Sequence, residues 1–162
     1  MRKSPGKRVL AKKPPTKSHA TLGLFTYEDA YKCWAGRVEL RPGSSIDYRL
    51  STWGTHNFDS TELLERGAKF LAWSRKAERT VLGQIADELL SVYLANWSPE
   101  QKGKTRPMSR KAFLSRVTTS SINLNADGSA YWYFKDGGLF AGHRIEVRVQ
   151  PDQSISEICL AG

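Results

Sequence analysis

The sequence predicts an α+β domain in which helices pack against an antiparallel sheet. Apolar and polar residues alternate near both ends of the chain, as they do in strands. Between these two regions, apolar residues recur at the three- and four-residue spacing of helices. The order strands, helices, strands is typical of α+β domains rather than of folds in which strands and helices alternate.

Length and composition predict one folded domain over residues 22–162. The chain of 162 residues is long enough to bury a hydrophobic core. Hydrophobic residues make up 40% of it and charged residues 25%, which are ordinary values for a globular protein.

Residues 1–21 form a basic segment that we predict to be disordered. Pro14 and Pro15 oppose a helix there, and the apolar content is too low to offset the entropy of ordering the segment. Seven of the 25 basic residues fall in the first 20 positions, which leaves 18 against 16 acidic residues in the rest of the chain. The net charge of +9 therefore belongs mainly to this tail. The tail residues considered for nucleic-acid contact are Lys3, Lys7, Arg8, Lys12 and Lys13.

Three strand-like segments open the predicted domain, at residues 22–27, 33–40 and 46–50. In the second segment, Trp34, Val38 and Leu40 share one face. A Pro-Gly turn separates it from the third. These segments predict an antiparallel meander.

The middle of the chain predicts a helical pair. Asp59 is the expected N-cap, with Glu62 three residues later as in a capping box. Because the polar residues 74–79 interrupt the apolar stripe, we predict two helices with a short break, the second ended by Pro99. The apolar stripe residues are Leu63, Leu64, Gly67, Phe70 and Leu71, then Val81, Leu82, Ile85, Ala86, Leu89, Leu90 and Tyr93.

After a loop at residues 100–108, Ser109 is expected to cap one further short helix that buries Phe113. Four strand-like segments follow, at residues 118–124, 130–134, 145–149 and 155–160, with turn residues between them. They predict a second antiparallel meander.

Alternation within it places Tyr131 and Tyr133 on one face of the sheet, and Trp132 and Phe134 on the other. One pair is expected in the core, and the other could form a partner-binding patch.

Several classes of protein are excluded by what the sequence does not contain. It has no run of about 18 apolar residues and no secretory signal, so we expect a cytoplasmic protein rather than a membrane protein. Cys33 and Cys159 are expected to be small buried hydrophobic residues, although the sequence does not tell whether they lie close together. Neither the cysteines nor His19, His56 and His143 have the spacing of a metal site, and no cofactor-binding motif occurs.

The C-terminal third resembles a known family. Phe113 on a short helix precedes a strand, an aromatic strand and the run DGGLFAGHRIEV at residues 136–147, and the chain ends in Ala161 and Gly162. This arrangement is similar to the bacterial domain of unknown function 2262, whose members tend to end with a D-G-x-L-F-x-G-H-x-I-x-V strand and a closing glycine. The resemblance spans residues 22–162 and implies no established activity. Some small bacterial domains of this kind are suspected to be immunity proteins that neutralise toxins.

The loop at residues 136–143 is the best candidate site. Its glycines allow positive φ or close approach to a ligand. Asp136 could orient His143 as a general base or metal ligand needs, but an Asp-Gly pair also suits a plain hairpin connection. Asp136 and His143 are thus the candidate catalytic residues. The candidate binding residues are Gly137, Gly138, Phe140, Gly142, His143 and Arg144.

Three functions follow from these features. The leading prediction is a non-catalytic binding or interaction domain with an unknown protein partner, of an immunity-type or regulatory kind, without cofactor or metal. The first alternative is nucleic-acid association through the basic tail. The second is an enzyme that uses Asp136 and His143.

Overall fold

In the computed structural model, residues 13–52, 59–98 and 107–162 are described, and they form one sheet of eight strands with a long helix on one face. The strands are β1 (Thr16–His19), β2 (Gly23–Glu28), β3 (Cys33–Arg41), β4 (Ser44–Ser51), β5 (Thr118–Asn125), β6 (Ala130–Lys135), β7 (Arg144–Val149) and β8 (Ile155–Ala161). The helices are α1 (Ser60–Val92) and α2 (Arg110–Leu114), with a 3₁₀ turn at Asp29–Tyr31 and a π-helical turn at Tyr93–Trp97. The α+β prediction is confirmed.

The strands lie in the sheet in the order in which they occur along the chain. All neighbouring strands are antiparallel except β4 and β5, which pair in parallel from Asp47 opposite Ser121 to Ser51 opposite Asn125. A parallel pair needs a long crossover connection, and here that connection contains both helices. The prediction of an antiparallel sheet is therefore wrong at this one pairing, which joins the strands before α1 to those after it.

The central helical pair is in fact one helix, so the predicted break was wrong. The polar stretch at residues 74–79 does not interrupt α1, because its key polar groups are buried and have partners. The Ser74 hydroxyl donates to the Phe70 carbonyl oxygen at 2.9 Å. The buried Glu78 carboxylate accepts from the Thr119 hydroxyl at 2.7 Å and pairs with Arg41 at 2.9 Å. Pro99, the expected end of the second helix, lies outside the described residues.

Both predicted N-caps are confirmed. The Asp59 carboxylate accepts from the Thr61 backbone N–H at 2.8 Å, and the Ser109 hydroxyl accepts from the Ala112 N–H at 3.2 Å. Each cap satisfies an N–H group that a helix start leaves without a partner. Glu62 does not complete a capping box. Its carboxylate accepts from Arg66 at 2.8 Å instead.

Strand structure begins before Leu22, within the segment that we expected to be disordered. β1 pairs with β2, and the Tyr27 N–H donates to the Pro15 carbonyl oxygen at 2.8 Å. The low apolar content of residues 16–19 misled the prediction, since this strand is held by backbone pairing and by polar contacts such as that of His19 with Glu65 at 3.2 Å. The boundary at residue 22 is therefore corrected, and residues 1–12 lie outside the described part of the chain.

The core lies between α1 and one face of the sheet. The predicted helix stripe packs onto it, and Trp132 and Phe134 are fully buried there, which identifies them as the core pair of β6. α1 lies close to the sheet at Gly67, whose carbonyl oxygen accepts from the Tyr48 hydroxyl at 2.8 Å. In the described ranges no helix is long and apolar enough to cross a membrane.

The two cysteines are free thiols on separate strands. Cys33 on β3 is buried, as expected, whereas Cys159 on β8 is only partly buried. β8 is the fifth strand from β3 across the sheet, so the two thiols do not form a pair.

Replacing Gly36 by Ala tests the packing of β2 on β3. A Cβ at Gly36 would lie 2.9 Å from the Leu24 carbonyl oxygen and from the Phe25 ring, so backbone must move. We expect Gly36→Ala to lower the free energy of unfolding, measured in urea, by about 1–3 kcal/mol.

Gly83→Ala is the matched control in α1. The added Cβ would lie 3.4 Å from its nearest neighbour, an ordinary contact. Because alanine favours helix over glycine by up to about 1 kcal/mol, this variant should be as stable as the natural chain or more stable. Equal stability of Gly36→Ala and the natural chain would contradict the packing described.

Candidate functional site

The predicted loop connects β6 to β7 and is built on backbone that favours glycine. Gly137, Gly138 and Gly142 have φ values of 59°, 80° and 87°. At Gly137 a side chain is also excluded by packing, because a Cβ would lie 2.5 Å from the Arg116 carbonyl oxygen. Backbone conformation and packing thus explain why glycine occupies these positions, without any role for a ligand.

Asp136 organises this loop. Its carboxylate accepts backbone N–H groups from Gly138 at 3.1 Å, Phe140 at 2.6 Å and Gly142 at 3.2 Å. Burial raises the pKa of the Asp136 carboxyl, but the N–H donors, led by Phe140, lower that pKa more, so it lies below its ordinary value. The carboxylate stabilises the turn and is not directed at His143.

His143 is held by other groups. Its Nδ1–H donates to the Phe140 carbonyl oxygen at 2.6 Å, and its ring packs edge-on against Trp97 at 5.4 Å between centroids. Asp136 therefore does not orient His143, which was one of the two interpretations of this loop. Phe140, a predicted binding residue, is fully buried against aromatic neighbours that include Tyr93. Of the predicted binding residues, only Arg144 lines the cavity described below.

The second candidate site lies on the open face of the sheet, which is the face opposite α1. The parallel register places Arg49 of β4 beside Asn123 of β5, and Ser51 beside Asn125. Strand alternation turns these four side chains away from the core. The buried residues of the two strands are Ile46, Tyr48, Leu50, Ile122 and Leu124. The four outward side chains form the floor of a cavity of about 720 Å³, hereafter the open-face cavity.

The walls of the open-face cavity come from both sides of this floor. Tyr131 and Tyr133 of β6 line one side together with Arg144 of β7. Glu28, Tyr31 and Cys33, at the ends of β2 and β3 and in the turn between them, line the other. The cavity thus combines arginine, tyrosine and amide side chains.

Asn123 contributes an unsatisfied polar atom to the cavity floor. Its Oδ1 atom is buried and, among the described residues, has no hydrogen-bond partner. A buried acceptor in this state costs about 1–3 kcal/mol. Such atoms in folded proteins usually have a donor, so a bound ligand or an ordered water is expected here.

The arginines of the cavity are weakly paired. The Arg144 guanidinium lies 5.0 Å from the centre of the Tyr133 ring, and no carboxylate of the described residues is within 4 Å of it. Arg49 has a long ion pair with Glu28 at 3.8 Å. In contrast, Arg148 on the same sheet face binds Glu146 at 2.9 Å and Glu157 at 2.5 Å. The cavity arginines are therefore less tightly paired than Arg148 and can accept an external anion.

The tyrosines of the cavity confirm the predicted division of β6. Tyr131 and Tyr133 are half-buried on the open face, with their ring planes 15° apart and their centroids 6.4 Å apart. Burial, and next the charge and hydrogen bonding of Glu146, raise the pKa of the Tyr133 phenol, so it stays protonated.

One thiol, that of Cys33, lines the open-face cavity. Burial, and next the Glu28 charge, raise the pKa of the Cys33 thiol, which disfavours the nucleophilic thiolate. Among the described residues that line the cavity there is no histidine. Within the described ranges, no group of three His, Cys, Asp or Glu side chains could hold a metal ion.

Most residues of this cavity were not predicted from the sequence. Polar residues alternate on β4 and β5, but nothing local shows that these strands, separated by the two helices, pair in parallel. Among the tail residues considered for nucleic-acid contact, Lys13 is described and exposed. The others, Lys3, Lys7, Arg8 and Lys12, lie outside the described residues.

Replacing Asp136 by Asn tests the structural role of the loop carboxylate. The lowered pKa means that the charged form stabilises the fold; this contribution is complete above the unfolded pKa of about 3.9 and is lost as the pH falls through the lower folded pKa. At pH 7 we expect Asp136→Asn to lower the free energy of unfolding by on the order of 2–4 kcal/mol. Urea unfolding between pH 7 and pH 3 should show this difference shrinking at acid pH. A variant of natural stability would contradict the role.

Comparison with known proteins agrees with the resemblance seen in the C-terminal third. The model of the family described as an uncharacterised protein conserved in bacteria, domain of unknown function 2262, matches residues 19–159. No curated protein and no solved structure matches the chain. The matched range includes β2 to β7 and both helices. The chain therefore belongs to the bacterial domain of unknown function 2262 family.

Proposed function

We propose that this protein is a non-catalytic binding domain whose ligand occupies the open-face cavity. The buried Asn123 Oδ1 is the observation that carries the proposal, because it lacks a donor from the described protein residues inside a cavity large enough for a ligand. The weakly paired Arg49 and Arg144 support it.

The binding function is favoured over the enzyme alternative. An enzyme using Asp136 and His143 would need a carboxylate free to orient the imidazole. The Asp136 carboxylate already accepts three backbone N–H groups, and His143 donates to a backbone carbonyl. These bonds support a loop that stabilises the fold.

We include in this proposal the more specific prediction of an immunity-type or regulatory role. A protein partner would place one of its side chains in the open-face cavity, next to Asn123 and Arg49. Nucleic-acid association through the basic tail stays a separate prediction and does not involve the cavity.

Nuclear magnetic resonance of the ¹⁵N-labelled full chain tests the binding function. We expect a panel of small metabolites and short acidic peptides to include compounds that shift the backbone amides of residues 49, 51, 123, 125 and 131. The amides of residues 136–143 should stay in place. Shifts confined to residues 136–143, or no shift anywhere at millimolar concentrations, would overturn the proposal.

Asn123→Leu tests whether the unsatisfied acceptor of the cavity serves ligand binding. Removing an unsatisfied buried acceptor should leave the free energy of unfolding unchanged or raise it, while the amide shifts caused by a ligand disappear. Asn125→Leu is the control for stability, because Asn125 donates to the Ser129 hydroxyl at 3.0 Å and its loss should destabilise the turn. A clear loss of stability in Asn123→Leu would show that its amide has a structural role instead.

A further inference from the structure

We propose, on the basis of the binding function above, that the open-face cavity takes a small anionic ligand of a defined kind. In this ligand a carboxylate or phosphate is joined to a planar ring that carries an N–H or O–H donor. Each of the three parts corresponds to a different group of the cavity.

The arginines select the anion. Among the described residues that line the cavity, Arg49 and Arg144 meet one carboxylate, that of Glu28, which leaves a positive balance. They come from strands three positions apart in the sheet, on the order of 14 Å, and their long side chains reach into one cavity. The planar guanidinium fork matches the geometry of carboxylate and phosphate oxygens.

The tyrosines select the planar ring. Tyr131 and Tyr133 present two nearly parallel rings to the cavity, at a spacing set by their positions two residues apart on β6. Tyr31 lines the cavity as well and is 69% exposed, a high value for so large an aromatic side chain. Aromatic side chains of this kind bind planar groups by stacking and edge contacts.

Asn123 selects the donor and fixes its place in the ligand. In the sheet register Asn123 lies directly between Arg49 of β4 and Tyr131 of β6. The unpartnered Oδ1 atom therefore accepts a hydrogen bond from a group between the anion and the ring, or on the ring itself. The volume of about 720 Å³ is in the range of small-molecule sites.

Titration calorimetry on the full chain tests this ligand class. The probes are 4-hydroxybenzoate, a ring with a carboxylate, and guanosine 5′-monophosphate, a ring with a phosphate. The matched fragments are phenol and guanosine, which lack the anion, and acetate and inorganic phosphate, which lack the ring. We expect at least one complete probe to bind at least tenfold more tightly than both of its fragments, and the probe that does so identifies the anion.

Two arginine variants test whether that affinity arises from binding in the cavity. Arg49→Ala and Arg144→Ala should each weaken binding of the complete probe at least tenfold. Arg79→Ala is the control, since Arg79 is exposed on α1, on the other side of the sheet, and its loss changes the net charge equally. Its affinity should equal that of the natural chain.

The outcomes separate this inference from the proposed function. If neutral rings bind as tightly as the anionic probes and shift the cavity amides, the binding function stands and the anionic ligand class is overturned. The class is also overturned if Arg79→Ala weakens binding as much as Arg144→Ala. If no compound of the wider panel shifts the cavity amides, both proposals fail.

Discussion

The parallel pairing of β4 with β5 is the interaction on which the remaining structure depends. It joins four strands before α1 to four strands after it, so that eight strands share one core face under one helix. The same pairing aligns the polar residues of both strands on the opposite face. A shift of β5 by one residue against β4 would turn Asn123 into the core and bring Leu124 to the open face.

The two faces of the sheet consequently have different roles. The core face carries the apolar contacts with α1, strengthened by the buried Glu78 carboxylate and its partners Arg41 and Thr119. Since the stability of the fold comes from this face, the open face can hold an acceptor without a donor and weakly paired cations. Unsatisfied groups of this kind lower the stability of the protein without ligand, and a bound ligand can offset that loss.

The features that the sequence predicted well depend on local signals. Alternation and turn residues placed seven of the strands, and short polar side chains identified the caps at Asp59 and Ser109. The continuity of α1 was missed because Glu78 finds its partners on distant strands. β1 was missed because backbone pairing leaves little trace in composition.

The site was harder to predict than the fold for a similar reason. The loop at residues 136–143 was the predicted site because glycines, an acid and a histidine occur together in sequence. Its hydrogen bonds, however, are internal to the loop. The cavity collects residues from Glu28 to Arg144, which only the sheet order brings together. Strand alternation indicated Tyr131 and Tyr133, and Arg144 was among the predicted binding residues.

Residue-resolved amide hydrogen exchange tests most directly whether the two halves form one sheet. If β4 and β5 pair as described, the hydrogen-bonded amides of residues 47–51 and 121–125 exchange only through global unfolding, with the same free energy as the buried strand β6. Fast exchange of these amides, with β6 still protected, would show that β4 and β5 are not joined, and it would remove the floor of the open-face cavity.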